Sequence, residues 1–211
     1  MHSLPYTPCA PQSTVQEPLD HMLAFAHDHQ LRALLKEHLK ARLTAADLLV
    51  DEFSLAYGAV RADLALVNGH LEGFEIKAGK DTLRRLPAQV DAYDKVFEYS
   101  WVVTTPSHLK DVRAVVPRGW GLLVARSDEN GCELRHIRQP KRNVGRDAAS
   151  LVRLLWRDEA LAKLDALGLS HGLKSKPKIA LFAALVDAMS VDELAEHVRY
   201  CLKARKDWRA D

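Results

Sequence analysis

Two apolar runs separated by Asn68-Gly69 constrain this chain more than any other feature. Residues 61–67 and the segment Gly73-Phe74-Glu75-Ile76-Lys77 both have strand character, and Asn-Gly is a strong signal for a tight turn between strands. A hairpin is therefore expected. Side chains alternate across a strand, so Glu75 and Lys77 project to one face while Phe74 and Ile76 turn to the opposite, buried one. Pairing through the turn brings Asp63, near the start of one strand, towards Glu75 and Lys77, near the end of the other. Two carboxylates and an ammonium then share one pocket.

The rest of the chain supplies layers for this hairpin. Over residues 20–43, Leu23, Leu31, Leu34, Leu35, Leu39 and Leu43 recur at helical spacing, and residues 48–57 read as a strand ended by Gly58 that flanks the hairpin. After Lys77 comes the polar turn Ala78-Gly79-Lys80-Asp81. A helix follows, carrying Leu86, Val90, Tyr93, Val96 and Phe97, with Pro87 tolerable only in its first turn. Gln89 and Tyr93 are one turn apart on it and face the same way, although Tyr93 equally suits a core position. Residues 100–105 form a strand stopped by Pro106, residues 107–115 a short helix, residues 119–125 a strand, and residues 132–137 a last strand after Asn130-Gly131. Helices alternating with buried strands imply an α/β layer structure. Beyond Pro140 the pattern is entirely helical, and Ser190-Val191-Asp192-Glu193 has the capping-box form that opens the final helix. The tight joint at Met189-Ser190 admits a helix-turn-helix with Arg199, Lys203, Arg205, Lys206 and Arg209 reaching phosphates. A helical lid with a solvated basic face is the simpler expectation. Three segments result: a disordered or loosely packed tail over residues 1–18, a core over 19–140 and a helical C-terminal subdomain over 141–211.

Composition narrows the function classes. With 211 residues, 47% of them hydrophobic and 27% charged, the chain suits one globular domain with a substantial core. Its net charge of +2 does not announce a nucleic-acid binder, so any DNA contact must rest on local clusters. Cys9, Cys132 and Cys201 are too far apart for a zinc site and odd in number, which fits a reducing compartment. No charged and apolar leader opens the sequence, and no apolar run approaches the roughly 18 residues that span a bilayer. A cytoplasmic protein without a membrane partner is expected. His21, His27, His29 and His38 have no finger spacing and read as a solvated helical face.

Asp63 followed by Glu75-Ile76-Lys77 resembles the signature of the PD-(D/E)XK nuclease superfamily. Gln89-Val90-Asp91-Ala92-Tyr93 on the next helix is similar to the Gln-x-x-x-Tyr motif of its RecB-type and lambda-exonuclease-type branches. More narrowly, residues 51–120, with Arg61-Ala62-Asp63, Gly73-Phe74-Glu75-Ile76-Lys77 and Asp81-Thr82-Leu83-x-Arg85-Leu86-Pro87, look like a small, poorly characterised bacterial and phage branch. Ala62 stands where the superfamily's name expects Pro. The resemblance implies a restriction-endonuclease-like core over residues 19–140, with a central mixed β-sheet flanked by helices.

Phosphodiester hydrolysis requires a nucleophile made from water at neutral pH and stabilisation of charge at phosphorus, which hard oxygen ligands holding Mg²⁺, or Mn²⁺, provide. The resemblance implies Asp63 and Glu75 as metal ligands, with the Ile76 carbonyl as an extra donor, and Lys77 orienting or deprotonating the attacking water. A third carboxylate is usual in the superfamily; Glu52 is the first choice and Glu37 the rival. Gln89 and Tyr93 are expected to support the site and its bound DNA, and Lys80, Arg84 and Arg85 are candidate phosphate contacts that equally suit plain solvation. Two function classes stay open. One is a metal-dependent DNA endonuclease or exonuclease acting in repair, phage defence or mobile-element biology; the other is a non-catalytic module on the same fold that binds nucleic acid or protein. A homodimer or a larger complex is compatible with either.

Overall fold

The hairpin forms, and it lies inside a six-stranded sheet. A computed structural model describes Phe25 and residues 27–128 and 131–205. The expected tail over residues 1–18, and Cys9, His21, Leu23, Asn130, Lys206, Trp208 and Arg209, lie outside the described residues. Among the described residues the chain runs α1 (Asp28–Lys40), β1 (Leu48–Leu55), β2 (Val60–Val67), β3 (Leu71–Lys77), α2 (Leu86–Asp94), β4 (Tyr99–Thr104), α3 (Leu109–Val115), β5 (Gly121–Asp128) and β6 (Gly131–Arg138). Four helices follow: α4 (Ala148–Val152), α5 (Arg157–Ala166), α6 (Lys178–Ala188) and α7 (Val191–Ala204). Single turns of 3-10 helix lie at Ala56–Gly58 and Leu83–Arg85. Of the one helix or two short ones expected over residues 20–43, the described residues form helix over Asp28–Lys40, and β3 begins two residues before Gly73.

Spatial strand order equals chain order, β1 to β6. The strands β1, β2 and β3 are antiparallel neighbours, β3, β4 and β5 are parallel, and β6 returns antiparallel to β5. The mixture follows from the connections: short turns join β1 to β2 and β2 to β3, whereas the segments carrying α2 and α3 are long enough for parallel crossovers.

Alternation splits the core into two layers. Leu64, Leu66, Phe74 and Ile76 pack with Leu31, Leu35 and Leu39, an i, i+4 stripe that gives α1 its buried face. On the opposite side Ala65, Val67 and Leu71 pack with Tyr93 and Phe97, in one cluster that also contains Leu181, Leu185, Leu194 and Val198. The C-terminal helices therefore share an apolar layer with the sheet. Gly73 is required at its position because a β-carbon there would collide with the Phe97 ring.

The capping box at Ser190 forms as expected, with Ser190 N donating to Glu193 Oε2 at 2.8 Å and Glu193 N to Ser190 Oγ at 3.3 Å. Of the basic residues expected on a solvated face, Lys203 is exposed, whereas Arg199 and Arg205 turn to carboxylates. Arg199 donates to Glu98, whose side chain is 2% exposed, while Arg205 lies 2.7 Å from Glu159 and Lys203 3.7 Å from Asp47. A buried carboxylate demands cationic partners, and α7 supplies one to Glu98 immediately before β4. His38 also departs from a purely solvated role, its Nε2 lying 3.3 Å from that of His136 on β6.

Candidate active site

The site is a fork between β2 and β3. Their ladder runs from Val67↔Leu71 to Leu64↔Phe74. At the next position Asp63 replaces backbone pairing with its side chain: Oδ2 accepts the Ile76 N–H at 2.7 Å. On the other side of β2, the β1 pairing passes from Asp51↔Leu64 to Phe53↔Ala62 around Glu52, which holds a left-handed φ of 54°. Val50 packs on the same layer as Phe53, and Ala62 on the same layer as Ala65, so both strands change face at this point. The irregularity frees the Asp63 carboxylate from strict alternation.

From β3, Glu75 and Lys77 project to the α2 side, and α2 clamps them. Glu75 Oε1 accepts Lys77 Nζ at 2.7 Å and the Gln89 amide, while Oε2 accepts the Tyr93 hydroxyl at 2.7 Å. Lys77 Nζ also donates to Gln89 Oε1 at 3.0 Å, and Thr104 Oγ1 on β4 donates to the Lys77 carbonyl at 3.0 Å. Glu75 is 1% exposed, Lys77 5% and Tyr93 fully buried, so this is an internal network rather than a surface ion pair. Gln89 and Tyr93 meet one carboxylate because they are one turn apart on α2.

Arg32 was not legible as a site residue. From α1 it donates to the Asp63 carbonyl, and its Nη2 lies 3.0 Å from Asp63 Oδ1 and 3.0 Å from Glu52 Oε1. Asp28 accepts its Nε at 3.0 Å, and Asp51 lies 3.7 Å from Nη1 while pairing with Lys36 at 2.6 Å. Only the Asp28–Arg32 spacing of four on one helix was a sequence signal. Glu52 thus reaches the Asp63 side of the sheet through a shared guanidinium, but half-exposed and also 3.4 Å from Arg61. It does not join Asp63 and Glu75 in a three-carboxylate ligand set, and among the described residues no three His, Cys, Asp or Glu side chains are so gathered. Glu37 lies away from the fork, exposed and paired with Lys40. Lys80, Arg84 and Arg85 are exposed on the segment between β3 and α2, with no ion-pair partner among the described residues.

Burial, reinforced by the nearby Glu75 charge, pushes the Asp63 carboxyl up to about 7 despite Arg32 and the Ile76 N–H. Burial likewise raises Glu75, against the opposing pull of Lys77, Tyr93 and Gln89. Desolvation is the first cause of both shifts, opposed by Arg32 beside Asp63 and by Lys77 beside Glu75. Such a donor set, oxygen only and with two carboxylates, fits a hard cation such as Mg²⁺, which is usually held by one or two carboxylates and keeps several waters.

The family described as Bacteriophage P4 protein cII matches residues 24–210. Protein cII of Enterobacteria phage P4 is 29% identical over 107 residues, which make up 51% of this chain and 40% of that protein. This chain therefore spans less than half the length of that relative. Among solved structures, the SPO1766 protein of unknown function from Silicibacter pomeroyi shares 19% identity over 70% of this chain and 94% of its own, with a TM-score of 0.42. No helix among the described residues is long and apolar enough to cross a membrane.

Proposed function

We propose that this chain, which belongs to the bacteriophage P4 protein cII family, is a metal-dependent nuclease that hydrolyses DNA phosphodiester bonds on a PD-(D/E)XK-type core. One observation carries the proposal: Asp63 opens the β2/β3 fork beside a Glu75–Lys77 pair whose every polar atom is positioned by Gln89, Tyr93 or the pair itself. A surface ion pair has no need of such support, and burying it without a task is costly. The phage relative supports a role in phage or mobile-element biology.

Asp63, Glu75 and the Ile76 carbonyl would hold Mg²⁺ or Mn²⁺, which supplies Lewis acidity at the phosphate and lowers the pKa of bound water. Tyr93 and Gln89 fix the Glu75 oxygens, and Arg32 fixes Asp63, so neither carboxylate has to reorganise as charge develops. Lys77, held 2.7 Å from Glu75, orients the attacking water and offsets the negative charge forming on phosphorus. Lys80, Arg84 and Arg85 provide exposed cations beside the fork for the DNA backbone.

Purified protein incubated with Mg²⁺ or Mn²⁺ and single-stranded, duplex or branched DNA is expected to cleave at least one form, and EDTA to stop it. Lys77→Ala should lower turnover roughly 100-fold or more while changing DNA affinity only a few-fold. Asp63→Ala should abolish cutting and leave binding intact. Absence of cleavage on every DNA form, with DNA bound equally by wild type and both variants, would instead identify a binding module on this fold.

A further inference from the structure

A groove of about 640 Å³ runs beside the fork, between the end of β1 and the C-terminal helices. Among the described residues, three that are not glycine hold a left-handed backbone: Glu52 (φ 54°), Ala56 (φ 49°) and Tyr57 (φ 56°). All three line this groove. A side chain with a β-carbon disfavours that conformation, and such residues gather where a structure holds a functional shape against local preference.

The lining chemistry points to one kind of occupant. Tyr57 is 68% exposed and Trp156 41% exposed, although both are large rings that burial would stabilise. Arg153 lies over the Tyr57 ring at 5.0 Å, and Arg205 over the Trp156 ring at 4.3 Å. Arg61 and Arg205 are balanced by Glu52 and Glu159, whereas Arg153 and Lys178 have no carboxylate within ion-pair distance among the described residues. Each ring carries a guanidinium on one face and keeps exposed surface besides, and exposed ring surface next to surplus cations suits stacked, unpaired bases on a phosphate backbone. A duplex keeps its base faces inside its own stack. The groove also meets the fork, because Glu52 lines one and shares Arg32 with Asp63 in the other.

We propose that this groove binds single-stranded DNA and leads it to the fork, with Tyr57 and Trp156 as stacking platforms and Arg153 and Lys178 as phosphate contacts. The inference rests on the nuclease reading for the identity of the strand and deepens it by naming a single-stranded substrate.

The test is fluorescence anisotropy with labelled oligo-dT and a blunt duplex, in EDTA so that nothing is cut. Wild type should bind oligo-dT more tightly than duplex. Tyr57→Asn, which suits the left-handed backbone while removing the ring, should weaken oligo-dT binding roughly tenfold or more, as should Trp156→Ala. Tyr57→Phe should bind like wild type. Combining Arg153→Ala with Lys178→Ala should flatten the slope of log K against log salt by about 1.4, two contacts at about 0.7 each. Wild-type affinity in Tyr57→Asn, Trp156→Ala and the double variant, or a preference for duplex that none of them alters, overturns the proposal. Binding in EDTA needs no turnover, so the two readings fail separately. Cleavage by a protein whose groove variants bind oligo-dT like wild type removes the groove alone, and groove-dependent binding by a protein that never cuts removes the nuclease alone.

Discussion

Replacing Asp63 with Asn should stabilise the metal-free protein, and increasingly so as pH rises. Burial and the Glu75 charge lift the Asp63 carboxyl from 3.8 to about 7 in the folded chain. Between these values the folded state keeps a proton that the unfolded state has released. Stability therefore falls as pH rises through that window, is free of the penalty below about pH 4, and carries all of it above pH 7. At about 1.4 kcal/mol per tenfold, the full shift amounts to about 4 kcal/mol; with the side chain 20% exposed, about 2–4 kcal/mol is expected. The opposing attraction of Arg32 is already contained in the net shift. Asn carries no titrating proton, and its removal of negative charge also relieves Glu75, which acts in the same direction. The assay is urea unfolding in EDTA at pH 5, 6, 7 and 8, taken as variant minus wild type. Carboxylates shifted downward elsewhere, such as Asp47 and Asp147, cancel in that difference. The difference should grow by about 1–2.5 kcal/mol from pH 5 to pH 8, because the part of the window between 3.8 and pH 5 is already passed at the first point, and Mg²⁺ at pH 8 should stabilise wild type but not Asp63→Asn. A difference that stays constant with pH, or equal stabilisation of both proteins by Mg²⁺, would refute the charge balance drawn for the fork.

Tyr93→Phe keeps the buried ring and deletes a 2.7 Å hydrogen bond to the Glu75 carboxylate. The expected loss is about 1.5–3 kcal/mol, or a Tm lower by roughly 3–12 °C for a chain of this size, and calorimetry showing no change would mean that Glu75 does not depend on this clamp. Gly73→Ala drives a β-carbon into the Phe97 ring and should cost about 1–3 kcal/mol in urea unfolding. Phe97→Leu in the same chain should recover part of that loss, and simple additivity of the two changes would show that the contact does not limit packing.

What the sequence by itself determined is what local periodicity carries. Alternation assigns Glu75 and Lys77 to one face, Asn68-Gly69 sets the hairpin that brings Asp63 near them, and a spacing of four puts Gln89 and Tyr93 on one side of α2. These relations depend on a few neighbouring residues and a fixed repeat, so they survive translation into three dimensions. The alternating pattern of helices and strands likewise announced an α/β layer structure, and Ser190 announced the start of α7. What only the tertiary structure decided are the partners of charged side chains. Arg32 reaches Asp63 across 31 residues, and Arg199 reaches Glu98 across 101. In the sequence both arginines look like solvated positions on helices, because nothing local tells a cation which buried carboxylate will need it. The change of face at Glu52 and Asp63 was equally hidden, since a left-handed residue interrupts the regular strand period there. The same holds for Tyr57: its aromatic character was visible, but its exposure beside Trp156 exists only because α4 to α7 fold back over the sheet and leave a groove at the edge of the fork.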